Sequence, residues 1–232
     1  MREGYPAVFR HELKYPISAA QLPAIQNRIN NLLSLDSHAA SSKGYTIRSL
    51  YFDDYDNHCF WENEDGTDPR EKFRIRIYNH STQRITLECK RKERGKTYKT
   101  SCPLTLAQTK RLMEGKTLSD IGGQPPLLQK LTVEMMTRRL QPVVIVEYDR
   151  IPYVYVNGNV RITLDTNISS SKAVGCFLDE TVPKRPVMPL GQQLLEVKYD
   201  EFLPDFIYRN LQLENLQQTA FSKYYICRKY TR

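Results

Sequence analysis

The sequence predicts an α+β fold centred on an antiparallel sheet, with a few helices beside it. Eight short runs rich in Val, Ile, Thr and Tyr are spread along the 232 residues, as is typical of strands. Only a few helical stretches interrupt them, which favours an antiparallel sheet over a parallel one. In most of the runs, apolar side chains alternate with charged ones, so each strand has an apolar and a charged face.

The elements follow from these runs and from turn and cap signals between them. Strands are predicted at residues 8–15, 45–53, 71–78, 84–92, 97–103, 143–151, 160–165 and 194–199. Helices are predicted at 18–33, 105–113, 126–139, 204–213 and 222–230, with Ser18 and Thr105 as N-caps. The segment 63–70, NEDGTDPR, has the composition of a loop. The chain has no internal repeat or Ser/Gly-rich linker, so we expect one domain over residues 1–232.

The charged strand faces are the most informative feature of the sequence. In 71–78 one face carries Lys72, Arg74 and Arg76, and in 84–92 it carries Glu88 and Lys90. An ordinary half-exposed sheet would explain this alternation, with the charged face in water. A closed barrel with the charged face inside also explains it, and it leaves the apolar face outside for the helices to cover. Because enclosed cations are costly unless they are neutralised, such a barrel predicts a bound polyanion.

The composition and the absence of common motifs limit the classes of function that the sequence fits. The net charge is +8 and the pI is about 9.2, which favours a polyanionic partner or substrate. Five cysteines without a CxxC pair argue against a disulfide framework or a zinc site. The sequence has no GxxxxGK[ST], GxGxxG, GxSxG or HExxH motif, which argues against several common enzyme classes. It also has no apolar run of 18 residues and no signal-peptide core, so we expect a cytoplasmic protein without a membrane segment.

Eight strings, in order along nearly the whole chain, resemble a known family. They are RHELKY (10–15), SLYFDD (49–54), KFRIRIY (72–78), LECKRK (87–92), VEYDR (146–150), VRITLDT (160–166), LLEVKYD (194–200) and FSKYY (221–225). Together they resemble the VTC domain, a polyphosphate polymerase module of the triphosphate tunnel metalloenzyme (CYTH-like) superfamily. The resemblance implies an eight-stranded antiparallel tunnel wrapped by helices, in agreement with the strand faces.

The resemblance also implies roles for individual residues. The residues implied to stabilise the transferred phosphoryl group are Arg74, Arg76, Lys90 and Arg161. Those implied to bind further phosphates are Arg10, Lys14, Lys72, Lys99, Arg150, Lys198 and Lys223. Glu196 is implied to hold a divalent cation, Mn²⁺ or Mg²⁺, with Glu12, Glu88 and Glu147 as further metal partners. The expected partners are ATP, triphosphate and polyphosphate.

Several functions are compatible with this sequence. Tunnel triphosphatases generally begin with ExExK, whereas Arg10 here replaces the first carboxylate, which weakens a metal-activated water and favours a polymerase. An inorganic triphosphatase with the same tunnel is the second hypothesis, and a non-catalytic polyphosphate-binding protein is the third. Nucleic-acid binding fits less well, because the arginines lie on strand faces beside glutamates and no nucleic-acid-binding motif is present.

Overall fold

The computed structural model describes residues 9–37 and 43–231. Its long strands form one curled antiparallel sheet, and the predicted strand at 8–15 begins one residue outside the described part. The long strands are β1 (His11–Ser18), β3 (Tyr45–Asp53), β4 (Arg70–Tyr78), β5 (Ser81–Glu93), β6 (Lys96–Leu104), β7 (Gln141–Tyr155), β8 (Val160–Ser171) and β10 (Gln192–Tyr199). Two short strands, β2 (Ser34–Leu35) and β9 (Arg185–Pro186), pair with β7 and β8 respectively.

The sheet closes on itself at one point. Its strand order is β1-β10-β8-β7-β3-β4-β5-β6, so β1 and β6 are the two edges. The backbones of Arg10 and Thr97 join these edges through two hydrogen bonds of 2.9 and 3.0 Å. The predicted eight-stranded antiparallel tunnel is therefore confirmed.

Within the described residues, six α-helices accompany the sheet. They are α1 (Gln21–Asn30), α2 (His58–Glu64), α3 (Leu106–Met113), α4 (Pro126–Thr137), α5 (Asp205–Leu211) and α6 (Lys223–Lys229). Thr105 caps α3 as predicted, in a capping box with Gln108. Ser18 instead ends β1, and α1 begins three residues later, although the Ser18 hydroxyl accepts a hydrogen bond from the Gln21 amide (3.2 Å). The short helix α2, just before the predicted loop, was not predicted.

The outward strand faces carry the apolar side chains, and the helices cover them. Leu128 and Leu131 of α4 pack with Leu112 of α3 against the outer face of β3–β6. On the other side of the barrel, α1 and α5 pack against the outer face of β1, β8 and β10. Burial of these faces provides the main hydrophobic stabilisation and directs the alternate, charged side chains inward. None of the helices in 9–37 and 43–231 is long and apolar enough to cross a membrane.

The C-terminal helix α6 occupies one end of the barrel interior. Its Tyr224 and Cys227 are 2% and 0% exposed and pack with Val144 and Val146, which are also fully buried. The Tyr224 hydroxyl donates a hydrogen bond to the buried carboxylate of Asp53, at the end of β3. The interior is therefore filled with side chains where β3 ends and β7 begins.

Candidate functional site

A cavity of about 930 Å³ lies inside the barrel, and we call it the tunnel cavity. Among the described residues, thirteen Lys and Arg side chains line it, together with two carboxylates, those of Glu12 and Glu196. All eleven cations that the sequence predicted at the site are among them. The structure adds Arg70 and Lys92, which the sequence analysis did not single out.

Glu88 is the centre of a cluster of cations in the wall made by β4, β5 and β6. Its carboxylate accepts hydrogen bonds from Arg74 Nε (2.7 Å) and Lys99 Nζ (2.8 Å), and Arg76 Nη1 lies 3.6 Å away. Register places Arg74 directly opposite Glu88 in the neighbouring strand. Burial raises the pKa of Glu88, but the three cations outweigh it and hold the pKa far below its usual value. Glu88 therefore stays ionised and fixes the positions of these cations.

Glu12 and Glu196 form a second cluster where β1 pairs with β10. Register places Glu12 opposite Lys198 and Lys14 opposite Glu196, so charges alternate across the pair. Lys198 Nζ lies 2.5 Å from Glu196 Oε1 and 3.9 Å from Glu12 Oε2, and it links the two carboxylates. Lys90 approaches Glu12 from β5 at 2.6 Å. Although burial raises both carboxyl pKa values, the surrounding ammonium groups hold them well below the usual range.

Asp165 of β8 is a residue whose importance the sequence analysis missed. Its side chain is fully buried and accepts two hydrogen bonds from Arg150, of 2.6 and 2.7 Å. Lys223, the first residue of α6, approaches the same carboxylate at 2.6 Å and Glu196 at 3.7 Å. Asp165 thus anchors two predicted phosphate ligands and ties α6 to the tunnel wall. The sequence signal that could have identified Asp165 was its position on the charged face of the predicted strand 160–165.

The three remaining predicted cations bind partners outside the Glu88, Glu12–Glu196 and Asp165 clusters. Lys72 Nζ donates a hydrogen bond to the side-chain oxygen of Asn63 (2.7 Å). Burial, reinforced by the charge of Arg70, lowers the pKa of Lys72 to about 7. Arg161 pairs with Asp36 at 2.9 Å and donates to the Tyr45 hydroxyl at 3.1 Å. Arg10 lies at the edge of the cavity and pairs with Asp200 at 2.7 Å.

Inward-facing tyrosines hold several of the arginines in position. The sequence analysis also missed this role of the tyrosines. Arg74 donates a hydrogen bond to the Tyr51 hydroxyl (2.7 Å), and Arg76 donates to the Tyr148 hydroxyl (3.3 Å). The Tyr148 ring also lies beneath Lys223, whose Nζ is 4.8 Å from the ring centre. Burial raises the pKa of Tyr148, but nearby cations lower it overall. These contacts hold the cations in place.

The structure places Glu147 on the opposite face of the sheet, so the expectation that it contributes to a tunnel metal site is wrong. The neighbouring residues Tyr148 and Arg150 line the tunnel cavity, whereas Glu147 forms a buried ion pair with Arg48 outside it. Arg48 also donates hydrogen bonds to the backbone carbonyls of Phe177 and Glu180, both at 3.1 Å. This outer pair fastens the segment 177–180 to the barrel.

The other predicted metal ligands, Glu12, Glu196 and Glu88, are not equally suited to hold a divalent ion. No group of three or more His, Cys, Asp or Glu side chains suited to a metal ion occurs within 9–37 and 43–231. Mg²⁺, however, is commonly held by one or two carboxylates together with substrate phosphates and water. The Glu12–Glu196 pair offers two such carboxylates facing the tunnel cavity and therefore fits a divalent ion shared with phosphates. Glu88 fits less well, because it is not among the side chains that line the tunnel cavity.

Comparisons with known proteins agree with this architecture. A protein from Hippeastrum, described as a candidate adenylyl cyclase with a dominant triphosphatase activity, superimposes with a TM-score of 0.58 at 12% identity, over 97% of both chains. A candidate adenylate cyclase from Vibrio parahaemolyticus gives 0.51 at 10% identity, over 95% of this chain and 98% of that one. At such identities the similarity shows a shared fold only. No curated protein matches the sequence.

The sequence itself matches a family over nearly its whole length. The VTC domain family aligns with residues 9–232. The alignment includes every strand of the barrel and every side chain that lines the tunnel cavity. The chain therefore belongs to the VTC domain family.

Proposed function

We propose that this domain transfers the γ-phosphoryl group of ATP to the end of a polyphosphate chain inside the tunnel. The observation that supports this most directly is the excess of cations in the tunnel cavity, where thirteen Lys and Arg side chains face two carboxylates. Even with the buried carboxylates of Glu88 and Asp165 included, the positive charges remain in large excess. Such an excess is costly in an enclosed space and is offset by a bound polyanion.

The chemistry needs no protein nucleophile. Phosphoryl transfer depends mainly on positioning and on stabilising the charge of the transferred group. We assign that stabilisation to Arg74, Arg76, Lys90 and Arg161, of which the two β4 arginines are held in place by Tyr51 and Tyr148. A divalent ion on Glu12 and Glu196 would supply further charge neutralisation at phosphate oxygens. Arg150, Lys198 and Lys223 would bind the neighbouring phosphates.

Hydrolysis of inorganic triphosphate is the second candidate, and one observation favours it. Because α6 fills one end of the barrel, the tunnel suits a short phosphate chain better than a long one that passes through. The fold is also that of the Hippeastrum protein, whose reported activity is mainly that of a triphosphatase. In this reaction water replaces the polyphosphate end as the attacking group, and the same cations stabilise the same transferred group.

Product analysis distinguishes the two reactions. Purified protein is incubated with ATP or tripolyphosphate and Mg²⁺ or Mn²⁺, and the products are separated by anion-exchange chromatography. Long polyphosphate supports the polymerase, whereas orthophosphate without longer chains supports the triphosphatase. Unchanged substrates would contradict both. Arg76→Met tests the tunnel wall, and Lys130→Met, which removes a cation outside the tunnel cavity, is the matched control that should retain activity.

A further inference from the structure

A second cavity adjoins the tunnel at the barrel end opposite α6. It has a volume of about 500 Å³, within the usual range for small-molecule sites, and we call it the rim cavity. Phe9, Lys96 and the segment 200–202 contribute to its lining. It lies where β7 turns into β8 and β10 ends, whereas α6 packs on the inward residues near the start of β7.

The two cavities meet at Arg10. Arg10 lines the tunnel cavity, and its side chain pairs with Asp200 of the rim cavity at 2.7 Å. Asn159 donates a hydrogen bond of 3.1 Å to the same Asp200 carboxylate, which fixes the border between the cavities. A molecule bound in the rim cavity could therefore extend past Arg10 toward the phosphate-binding cations.

The rim cavity has a different chemistry from the tunnel. Two of its side chains are aromatic, and Phe202 is 56% exposed although it is a large apolar residue. Two others are the carboxylates of Asp200 and Glu201, with Lys96 as the lining cation. Carboxylates accept hydrogen bonds from hydroxyl groups but repel phosphate. The lining thus suits an uncharged, hydroxyl-bearing, aromatic group better than a phosphate chain.

The backbone keeps Phe202 at this border. Gly158 has φ +75°, and a Cβ at that position would lie 2.8 Å from the Phe202 carbonyl oxygen. Only glycine tolerates both the positive φ and the close approach. The β7–β8 turn therefore packs directly on Phe202 and supports its ring at the rim.

From these observations we infer that the rim cavity binds the nucleoside of a nucleotide donor, with the base against the Phe202 ring. The ribose hydroxyls face the carboxylates, and the triphosphate extends past Arg10 into the tunnel. This inference rests on the proposed function, because it places the nucleoside of ATP while the tunnel cations bind the phosphates. Stacking on an aromatic ring tolerates any base, so we expect ATP and GTP to bind with similar affinity.

Calorimetric titrations in EDTA, where turnover is prevented, test the inference. Phe202→Ala should weaken ATP binding at least about 5-fold, the lower end of base-stacking effects, and leave tripolyphosphate binding within about 2-fold. Phe202→Tyr should keep ATP affinity, and Tyr55→Ala, which removes an aromatic ring that is 91% exposed and lines neither cavity, is the matched control. Thermal midpoints establish that each variant is folded.

The outcomes separate this inference from the proposed function. If Phe202→Ala leaves ATP affinity unchanged, or weakens ATP and tripolyphosphate equally, the nucleoside does not bind in the rim cavity while the tunnel proposal stands. If the unaltered protein binds neither ATP nor tripolyphosphate, the proposed function fails and this inference fails with it.

Discussion

Arg74 of β4 donates a hydrogen bond of 2.7 Å to the buried carboxylate of Glu88, directly opposite in β5. The same carboxylate binds Lys99, and Arg76 lies near it. The cations in this wall of the tunnel are thus arranged around an acid of the protein itself. A phosphate chain then meets positioned charges, so less ordering is required when it binds.

Replacement of Glu88 by Gln should destabilise the free protein. The substitution keeps the side-chain shape but leaves two largely buried arginines, and the half-exposed Lys99, without their shared counter-charge, which should lower the free energy of unfolding by about 3 kcal/mol. Tripolyphosphate should restore much of this loss, since it supplies the missing negative charge. Thermal unfolding with and without tripolyphosphate measures both effects.

Glu134→Gln, which removes a more exposed helix ion pair, should change stability by less than about 1 kcal/mol. Equal destabilisation with and without ligand would argue against phosphate binding at this wall.

The metal and phosphate roles should separate at Glu196 and Lys198. Glu196→Gln removes one carboxylate of the pair that fits a divalent ion, so metal-dependent turnover should fall on the order of 100-fold. Tripolyphosphate affinity without metal should hold or rise, because the tunnel loses a negative charge. Lys198→Met should weaken tripolyphosphate binding with or without metal. Full metal-dependent turnover in Glu196→Gln would show that the ion is held elsewhere.

Polyphosphate binding should take up a proton at Lys72. The pKa of this lysine is about 7 in the free protein, and a bound phosphate raises it, so affinity should fall as pH rises above 7. The loss approaches tenfold per pH unit for one fully coupled proton. Titration of tripolyphosphate between pH 6.5 and 8.5 into the unaltered protein and Lys72→Met isolates this effect, because the ligand's own ionisation is common to both. Identical pH profiles would contradict it.

The same lowered pKa affects the stability of the free protein. Between pH 7 and the ordinary lysine value of 10.5, the unfolded chain binds the Lys72 proton more strongly than the folded chain does. The Lys72 contribution should therefore increase the free energy of unfolding as pH rises from 7 to 9. Urea unfolding across this range should show a smaller pH slope in Lys72→Met than in the unaltered protein. A slope that does not change would show that Lys72 titrates normally in the fold.

Much of the fold and of the charged lining could be predicted from alternation alone. In β4 the apolar residues Phe73, Ile75 and Ile77 are all buried outside the tunnel, and the charged residues between them line it. The alternation is clear there because one face meets a helix-covered core and the other meets a polar interior. The capping signal at Thr105 was also sufficient to predict where α3 begins, since it depends on local residues only.

The prediction failed where both strand faces are buried. In β7, Val144, Ile145 and Val146 are all inaccessible, because α6 covers the inner face and other residues cover the outer one. Without alternation the sequence could not show that Glu147 points outward, toward Arg48. The closure between Arg10 and Thr97 joins residues far apart in the chain and leaves no local signal. The partners of Asp165 likewise come from other parts of the chain.

We propose that the inner face of the barrel, rather than its overall charge, binds and activates the phosphate chain. Arg48 and Arg74 lie on neighbouring strands, are both paired with a buried glutamate, and face opposite sides of the sheet. The most direct test is ATP turnover and tripolyphosphate affinity in Arg74→Met and Arg48→Met, with stability measured in parallel. Arg74→Met should lose turnover and bind tripolyphosphate at least about 10-fold more weakly, as expected for loss of a buried charged contact. Arg48→Met should be less stable but, where folded, should bind and turn over like the unaltered protein. Normal turnover in Arg74→Met, or equal loss in both variants, would contradict this role of the inner face.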